Sequence, residues 1–203
     1  MKQLKAWLAA LVLFALPHST LAAVKADSQA PDFTLKNIQG EAVRLSNYQG
    51  KYVILEWTNH LCPYVQKHYD SGNMQALQQK YTAEDVVWLS IISSAPGKQG
   101  HVSSEQAQSL SEERKASPSQ VLFDENGAVG KLYGAKTTPH MYVIDPQGIL
   151  RYAGAIDSIK SANPADITRA TNYVDAAMSA LKSGQEVTEK MTVPYGCSVK
   201  YAS

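Results

Sequence analysis

Residues 52–69 read YVILEWTNHLCPYVQKHY and contain the clearest structural signals of the sequence. Its first six residues are mostly β-branched, aromatic or apolar, which predicts a largely buried strand. Cys62 comes five residues after Trp57, at the end of that strand, and directly precedes Pro63. Proline is favoured in the first turn of a helix because its missing N–H would be unpaired there. The stretch therefore predicts a strand, a short turn and a helix with Cys62 at its N-terminus.

A cysteine in that position has a specific chemistry. The unpaired amides and the positive end of the helix dipole favour the thiolate over the thiol, so we expect the pKa of Cys62 to lie below its ordinary value of about 8.5. His60, Lys67 and His68 are close in sequence and are candidates for added positive charge, although helix geometry alone places neither Lys67 nor His68 beside the sulfur. The alternative is a buried cysteine that acts as a small apolar side chain.

Strands and helices alternate along the rest of the chain. An extended opening segment is expected at residues 30–35, and strands are expected at residues 43–45, 86–92, 120–123, 140–145 and 149–153, the last two forming a hairpin. Helices are expected at residues 63–81 with a division at Gly72, at 103–115, in a short stretch ending at Tyr133, and at 166–182. This order predicts an α/β protein with a central mixed β-sheet flanked by helices.

Thr138 and Pro139 form a second motif, immediately before the predicted strand at residues 140–145. A strand followed by Cys-Pro, with Thr-Pro ahead of a later strand and its hairpin, resembles the thioredoxin-like fold. In that fold the proline is cis, and the backbone before it faces the reactive sulfur and holds a substrate chain by hydrogen bonds. The resemblance implies these roles for Thr138 and Pro139. The alternative is an ordinary trans proline that begins an edge strand.

The sequences APDFTL (residues 30–35) and VIDPQG (residues 143–148) resemble the redoxin, or AhpC/TSA, family, and this resemblance runs from about Ala30 to Ile156. Residues 56–69 and the closing PYGCSVKY (residues 194–201) resemble an uncharacterised peroxiredoxin-like branch of the thioredoxin family. The resemblance implies a thiol-dependent oxidoreductase whose catalytic nucleophile is Cys62.

Three positions depart from the better-known patterns of these families. Val65 stands where a Cys-x-x-Cys motif would have its second cysteine. Asn59 stands where a peroxiredoxin would have a threonine, with Thr58 one residue further back, and Pro139 stands where a peroxiredoxin places an arginine. The threonine and arginine stabilise the peroxide oxygens and the thiolate in that family, so these departures weaken the expectation of fast peroxide reduction.

Cys197, the second cysteine, lies 135 positions after Cys62 in a closing segment, residues 183–203, that has little periodicity. Pro194, Tyr195 and Gly196 predict a turn just before it. A cysteine near a mobile end can act as a resolving thiol, which attacks the oxidised sulfur of Cys62 and releases the product. A permanent structural disulfide and a disulfide between subunits are the alternatives. The sequence leaves all three open.

The first 22 residues match a secretory signal peptide. Lys2 and Lys5 precede a short apolar run at residues 6–16, and small residues near Ala22 fit a cleavage site. An uncleaved membrane anchor is the alternative, but the 11 apolar residues fall short of the about 20 needed to span a membrane. We therefore expect residues 23–203 to be one exported domain, periplasmic or secreted, without stable membrane association. Both cysteines remain after cleavage, and an exported pair can be oxidised.

Composition and spacing exclude other classes. Lys and Arg total 19 against 18 Asp and Glu, with no basic stripe, which disfavours nucleic-acid binding. His60, His68, His101 and His140 match no zinc spacing with the cysteines, so we expect neither a metal nor another cofactor.

Three functions follow, in order of preference. The first is exported thiol–disulfide exchange or antioxidant reduction. The second is a hydroperoxide-reducing peroxidase, and the third is a non-enzymatic protein that binds a metal or a partner. The expected partners of the first two are a thiol or disulfide protein, or a hydroperoxide, together with an external thiol reductant.

Overall fold

A seven-stranded mixed sheet forms the centre of the computed structural model, which describes residues 24–202. The predicted signal peptide lies outside the described residues. The strands in this part of the chain are β1 (Thr34–Asn37), β2 (Ala42–Arg44), β3 (Val53–Trp57), β4 (Val87–Ile92), β5 (Gln120–Phe123), β6 (Thr137–Thr138), β7 (His140–Ile144), β8 (Leu150–Gly154) and β9 (Cys197–Ser198). Seven of them form the central sheet in the order β2-β1-β5-β4-β3-β7-β8, while β6 and β9 form a separate two-stranded sheet. The predicted α/β architecture is confirmed.

Helices cover both faces of the sheet. They are α1 (Pro63–Asp70), α2 (Asn73–Ala83), α3 (Ser104–Glu113), α4 (Ala128–Tyr133) and α5 (Tyr173–Lys182), with 3-10 turns at Leu45–Tyr48 and Pro164–Arg169. Gly72 separates α1 from α2 with a left-handed φ of 75°, so the predicted division is confirmed. Ser103 begins α3 with a capping box that it forms with Gln106.

Strand β3 lies at the centre of the core, and each of its five residues is buried. Successive side chains of a strand point to opposite faces of a sheet. Leu55 and Trp57 accordingly belong to the apolar cluster that contains Tyr133 of α4, whereas Ile54 belongs to the cluster formed with α1, α2 and α5. A strand buried on both faces fixes the position of the turn that follows it.

The predicted helix at residues 166–182 is wrong over residues 166–172. The 3-10 turn Pro164–Arg169 is followed by extended residues, and α5 begins only at Tyr173. Asn172 causes the break, because its backbone is extended and its side chain accepts a hydrogen bond from the amide of Asp175 at 3.0 Å. Asparagine is among the strongest N-cap residues, and this capping outweighs the continued apolar periodicity.

The closing segment lies on the domain along much of its length, in contrast to the mobile end expected from the sequence. The Thr192 amide donates to the carbonyl of Ala153 in β8 at 3.1 Å, and the Ala95 amide donates to the carbonyl of Lys200 at 2.9 Å. A Cβ at Gly154 would lie 2.1 Å from the Thr192 hydroxyl, so the close approach requires glycine there. Within residues 24–202, no helix is long and apolar enough to cross a membrane.

Candidate active site

Cys62 is the N-cap residue of α1, as the sequence predicts. Its backbone is extended, with φ −82° and ψ 121°, and Pro63 follows in the first turn. The Cys62 carbonyl accepts hydrogen bonds from the amides of Val65 and Gln66, each at 2.9 Å, and the Cys62 amide donates to Asn59 at 3.0 Å. These local bonds hold the cysteine between the end of β3 and the first turn of α1.

The sulfur of Cys62 faces the peptide that joins Thr138 and Pro139. Cys62 is fully buried, and its thiol donates to the Thr138 carbonyl with an Sγ–O distance of 3.0 Å. The Thr138–Pro139 peptide bond is cis. The Thr138 hydroxyl is buried and has no hydrogen-bond partner among the described residues, so it remains available to a deprotonated sulfur.

The closing segment places Cys197 beside Thr138, the residue that the Cys62 sulfur faces. Strand β9 pairs antiparallel with β6, and Cys197 lies opposite Thr138 in the register. Both cysteines are free thiols, and the side chain and backbone of Cys197 interact with the Cys62 sulfur. Gly196 has φ 140°, and a Cβ there would lie 2.0 Å from the Thr138 carbonyl oxygen. Only glycine permits the tail to approach β6 this closely.

The two thiols differ in acidity. Burial opposes ionisation of Cys62, but interactions with Cys197, Thr138 and the Val65 amide outweigh it, and the pKa of Cys62 lies below its ordinary value. Burial, the hydrogen bond to Cys62 and the charge of Cys62 raise the pKa of Cys197 to about 11. The pair therefore consists of an acidic sulfur, Cys62, and a protonated neighbour that can donate a hydrogen bond to it.

The nearby basic residues do not supply the positive charge that the sequence suggested. Burial and the Arg114 charge lower the pKa of His60, and burial lowers the pKa of His68 to about 4, so both rings are neutral at pH 7. The Lys67 ammonium is paired with Asp157 at 2.8 Å. The acidity of Cys62 thus depends on the groups that hydrogen-bond to its sulfur.

Asn59 shapes the turn before Cys62. Its side chain accepts from the Leu61 amide at 3.0 Å and donates to the Gln99 carbonyl at 3.3 Å. A Cβ at Gly100 would lie 2.4 Å from the Asn59 side chain, so the two residues are in close contact. Asn59 is therefore engaged away from the sulfur, unlike the threonine that a peroxiredoxin would have in its place.

Sequence reasoning missed two buried polar groups near the site. Glu56 is fully buried in β3 and accepts hydrogen bonds from Tyr69, Trp88, Ser90 and Gln78, at 2.8 to 3.2 Å. The sequence feature that could have indicated this group is a charged residue, Glu56, within an otherwise apolar strand. The second group joins Lys67, Asp157 and Tyr195. No local pattern indicates it, because its members lie far apart in the sequence.

No three His, Cys, Asp or Glu side chains between residues 24 and 202 lie close enough to hold an ion. His140 is buried against Tyr142, with ring centroids 4.6 Å apart, and burial lowers its pKa to about 3.

A cysteine at a helix start after a central strand, facing a cis Thr-Pro peptide, defines the thioredoxin-like class of thiol oxidoreductases. Within that class, this chain belongs to the AhpC/TSA family, which matches residues 26–153. The match includes Cys62, Thr138 and Pro139 and ends before Cys197. No curated protein matches the chain.

Solved structures support the same fold over a longer part of the chain. An uncharacterized conserved protein from Geobacillus kaustophilus is 28% identical, with a TM-score of 0.77, and the match covers 88% of this chain and 93% of that one. A hypothetical protein from Sinorhizobium meliloti is 20% identical, with a TM-score of 0.72, covering 90% and 97%. A protein from Chlorobium tepidum described as the thiol:disulfide interchange protein DsbE is 26% identical, with a TM-score of 0.51, covering 65% and 85%.

Proposed function

We propose that this protein is an exported thiol–disulfide oxidoreductase in which Cys62 is the nucleophile and Cys197 is the resolving thiol. The observation that carries the proposal is the pairing of β9 with β6, which places Cys197 opposite Thr138, the residue whose carbonyl accepts from the Cys62 thiol. Both thiols are free, and their pKa values are shifted in opposite directions. The similarity to the Chlorobium tepidum interchange protein supports the disulfide substrate class. Export rests on the predicted signal peptide.

In the first step, the Cys62 thiolate attacks one sulfur of a substrate disulfide. The substrate S–S bond breaks, a new bond joins Cys62 to that sulfur, and the other substrate sulfur leaves as a thiolate that takes up a proton. The hydroxyl of Thr138 and the thiol of Cys197 stabilise the Cys62 thiolate before the attack. Their loss would leave the buried charge with fewer hydrogen-bond donors.

In the second step, Cys197 attacks the sulfur of Cys62. The charge of Cys62 is one cause of the raised pKa of Cys197, and it disappears once Cys62 is part of a mixed disulfide. Cys197 then ionises more readily, forms the Cys62–Cys197 disulfide and displaces the second substrate thiol. Overall the substrate gains two electrons and two protons, and an external dithiol, or two monothiols, must return them to the protein.

Cys197 approaches Cys62 on a strand that pairs with the residue before Pro139. In the thioredoxin-like fold this edge holds a substrate chain, as the resemblance implies. The tail therefore presents Cys197 in the manner of a bound substrate cysteine, which supports the resolving role over a structural one.

A second candidate function is the reduction of small hydroperoxides. The observation in its favour is the complete burial of Cys62, which a small peroxide can reach more easily than a protein disulfide can. The thiolate would cleave the O–O bond to give a sulfenic acid and water or an alcohol. Cys197 would then form the disulfide and release water.

The test compares turnover of a disulfide substrate and of hydrogen peroxide by the wild type and by the Cys62→Ser and Cys197→Ser variants. We expect the disulfide to react faster than the peroxide, and we expect Cys62→Ser to lose activity by about 1,000-fold or more, because the nucleophile is gone. Cys197→Ser should stop after the first step, with a mixed disulfide on Cys62 visible by intact mass.

Other outcomes would support the peroxidase, contradict both enzymatic functions or change the role of Cys197. A faster reaction with peroxide supports the peroxidase, with a sulfenic acid accumulating in Cys197→Ser. Activity that persists in Cys62→Ser, or no turnover by the wild type with either substrate, contradicts both enzymatic functions. Full turnover by Cys197→Ser assigns resolution to an external thiol.

A further inference from the structure

Lys67 is a fully buried lysine whose three donors are all satisfied. Its ammonium nitrogen lies 2.8 Å from the carboxylate of Asp157, 3.0 Å from the carbonyl of Ile159 and 3.2 Å from the hydroxyl oxygen of Tyr195. A lysine ammonium has three N–H groups, so each has one acceptor. Two acceptors belong to the body of the domain, and the third belongs to the closing segment that carries Cys197.

Tyr195 is held at both its ring and its hydroxyl. The hydroxyl donates a hydrogen bond to Asp157, and burial together with that carboxylate raises the pKa of Tyr195 far above its ordinary value, so it stays protonated. The ring packs edge-on against Tyr64, in the first turn of α1, with centroids 5.8 Å apart. Tyr195 itself is only 5% exposed.

The contacts among Lys67, Asp157 and Tyr195 link the helix that begins at Cys62 to the segment that carries Cys197. Lys67 lies on α1, whose N-cap is Cys62, and Tyr195 lies two residues before Cys197. If the tail left its place, the Lys67 nitrogen would lose one of its three acceptors, which is unfavourable for a buried donor. Docking of the tail and satisfaction of the buried ammonium are therefore coupled.

We propose that Lys67, Asp157 and Tyr195 form a tail latch, a set of positioning residues that hold Cys197 against Cys62. By restricting the tail, the latch raises the effective concentration of the Cys197 thiol at the Cys62 sulfur and so favours the internal disulfide. The proposal rests on the resolving role of Cys197 and adds the residues that make that role efficient.

Tyr195→Phe tests the latch because it keeps the ring and removes only the hydroxyl. The measurement is the equilibrium in which the Cys62–Cys197 disulfide and two glutathione thiols give two protein thiols and glutathione disulfide. We expect the variant to favour the reduced protein about tenfold more than the wild type does, the scale of one lost hydrogen bond to charged groups. Resolution of a glutathione mixed disulfide on Cys62 should slow by a similar factor.

Tyr81→Phe is the matched control. The Tyr81 hydroxyl donates to Asp175 at 2.6 Å, and Lys80 binds the same carboxylate at 2.5 Å, so the control removes a tyrosine hydroxyl from a second Lys-Asp-Tyr set. This set joins α2 to α5 and does not include the tail. Thermal unfolding of both variants in the reduced state should show comparable losses, while only Tyr195→Phe should change the glutathione equilibrium.

Two results overturn the latch alone: an unchanged equilibrium in Tyr195→Phe, and an equal change in both variants, which would indicate general destabilisation. Failure of the wild type to form any Cys62–Cys197 disulfide overturns the proposed role of Cys197 and the latch with it. The wild-type titration therefore distinguishes failure of the proposed function from failure of the latch.

Discussion

Residues 52–69 and the closing segment, residues 183–202, each bring one cysteine to the same place by different means. Cys62 is placed by bonds within a few residues of itself, to Asn59 and Val65. Cys197 is placed by contacts spread over the domain, including those of its neighbours with Ala153 in β8 and with Lys67 in α1. The first site is a local structure, whereas the second depends on the finished fold.

The two regions also differ in their coverage by the AhpC/TSA family match. The AhpC/TSA match covers residues 26–153 and therefore contains the Cys62 half of the site, while Cys197 lies outside it. A common fold supplies the acidic sulfur and the Thr-Pro peptide, and a tail beyond the family match supplies the second thiol.

Deleting residues 194–203 should have the largest effect, because it removes the whole region that places Cys197. The deletion removes the buried ring of Tyr195 and the third acceptor of Lys67. We expect the free energy of unfolding to fall by about 3 kcal/mol, from the lost apolar burial and the unsatisfied ammonium together. Urea unfolding of the reduced protein measures it.

A chain shortened only by residues 202–203 is the control for that deletion, since Ala202 is exposed. It should unfold like the full chain. Equal stability of the longer deletion and the full chain would show that the tail adds nothing to the fold.

Gly196→Ala should separate the two halves of the site while leaving the tail present. The added Cβ would lie 2.0 Å from the Thr138 carbonyl oxygen, so β9 must move away from β6. Overpacking of this kind costs about 2 kcal/mol, and we expect the Cys62–Cys197 disulfide to be about 30-fold less favoured against glutathione. Alkylation of the buried Cys62 should become faster as the tail withdraws.

Gly184→Ala is the matched control for this change. Gly184 also lies in the closing segment and has φ 69°, but nothing lies within 4 Å of the position that an added Cβ would take. The control therefore introduces backbone strain without a steric contact, and it should leave the disulfide equilibrium close to that of the wild type. A wild-type equilibrium in Gly196→Ala would show that β6–β9 pairing is not needed for the disulfide.

The sequence was informative where structure is set by near neighbours. The turn before Cys62 and the division at Gly72 follow from proline and glycine chemistry, and the sequence predicts both. It does not predict the extent of α5, because capping by Asn172 competes with a continuous apolar pattern. The contact between Tyr195 and Lys67 spans 128 positions, and no periodicity encodes such a pairing. Local rules thus locate one thiol, and only the folded chain places the other.

Thr138→Val should have the smallest effect, and it tests how the Thr138 side chain contributes to the acidity of Cys62. The buried Thr138 hydroxyl has no other hydrogen-bond partner in the described part of the chain, and its interaction with the Cys62 sulfur lowers the pKa of Cys62, so its removal should raise that pKa. The thiolate fraction below the midpoint then falls, and attack on disulfides slows by less than about tenfold. The midpoint is measured from the thiolate absorbance against pH in a Cys197→Ser background, where Cys62 is the sole cysteine.

Thr137→Val is the control, because the Thr137 hydroxyl donates to the Pro139 carbonyl at 3.3 Å and not to the sulfur. An equal midpoint in the Thr138→Val and Thr137→Val variants would contradict the role of the Thr138 hydroxyl.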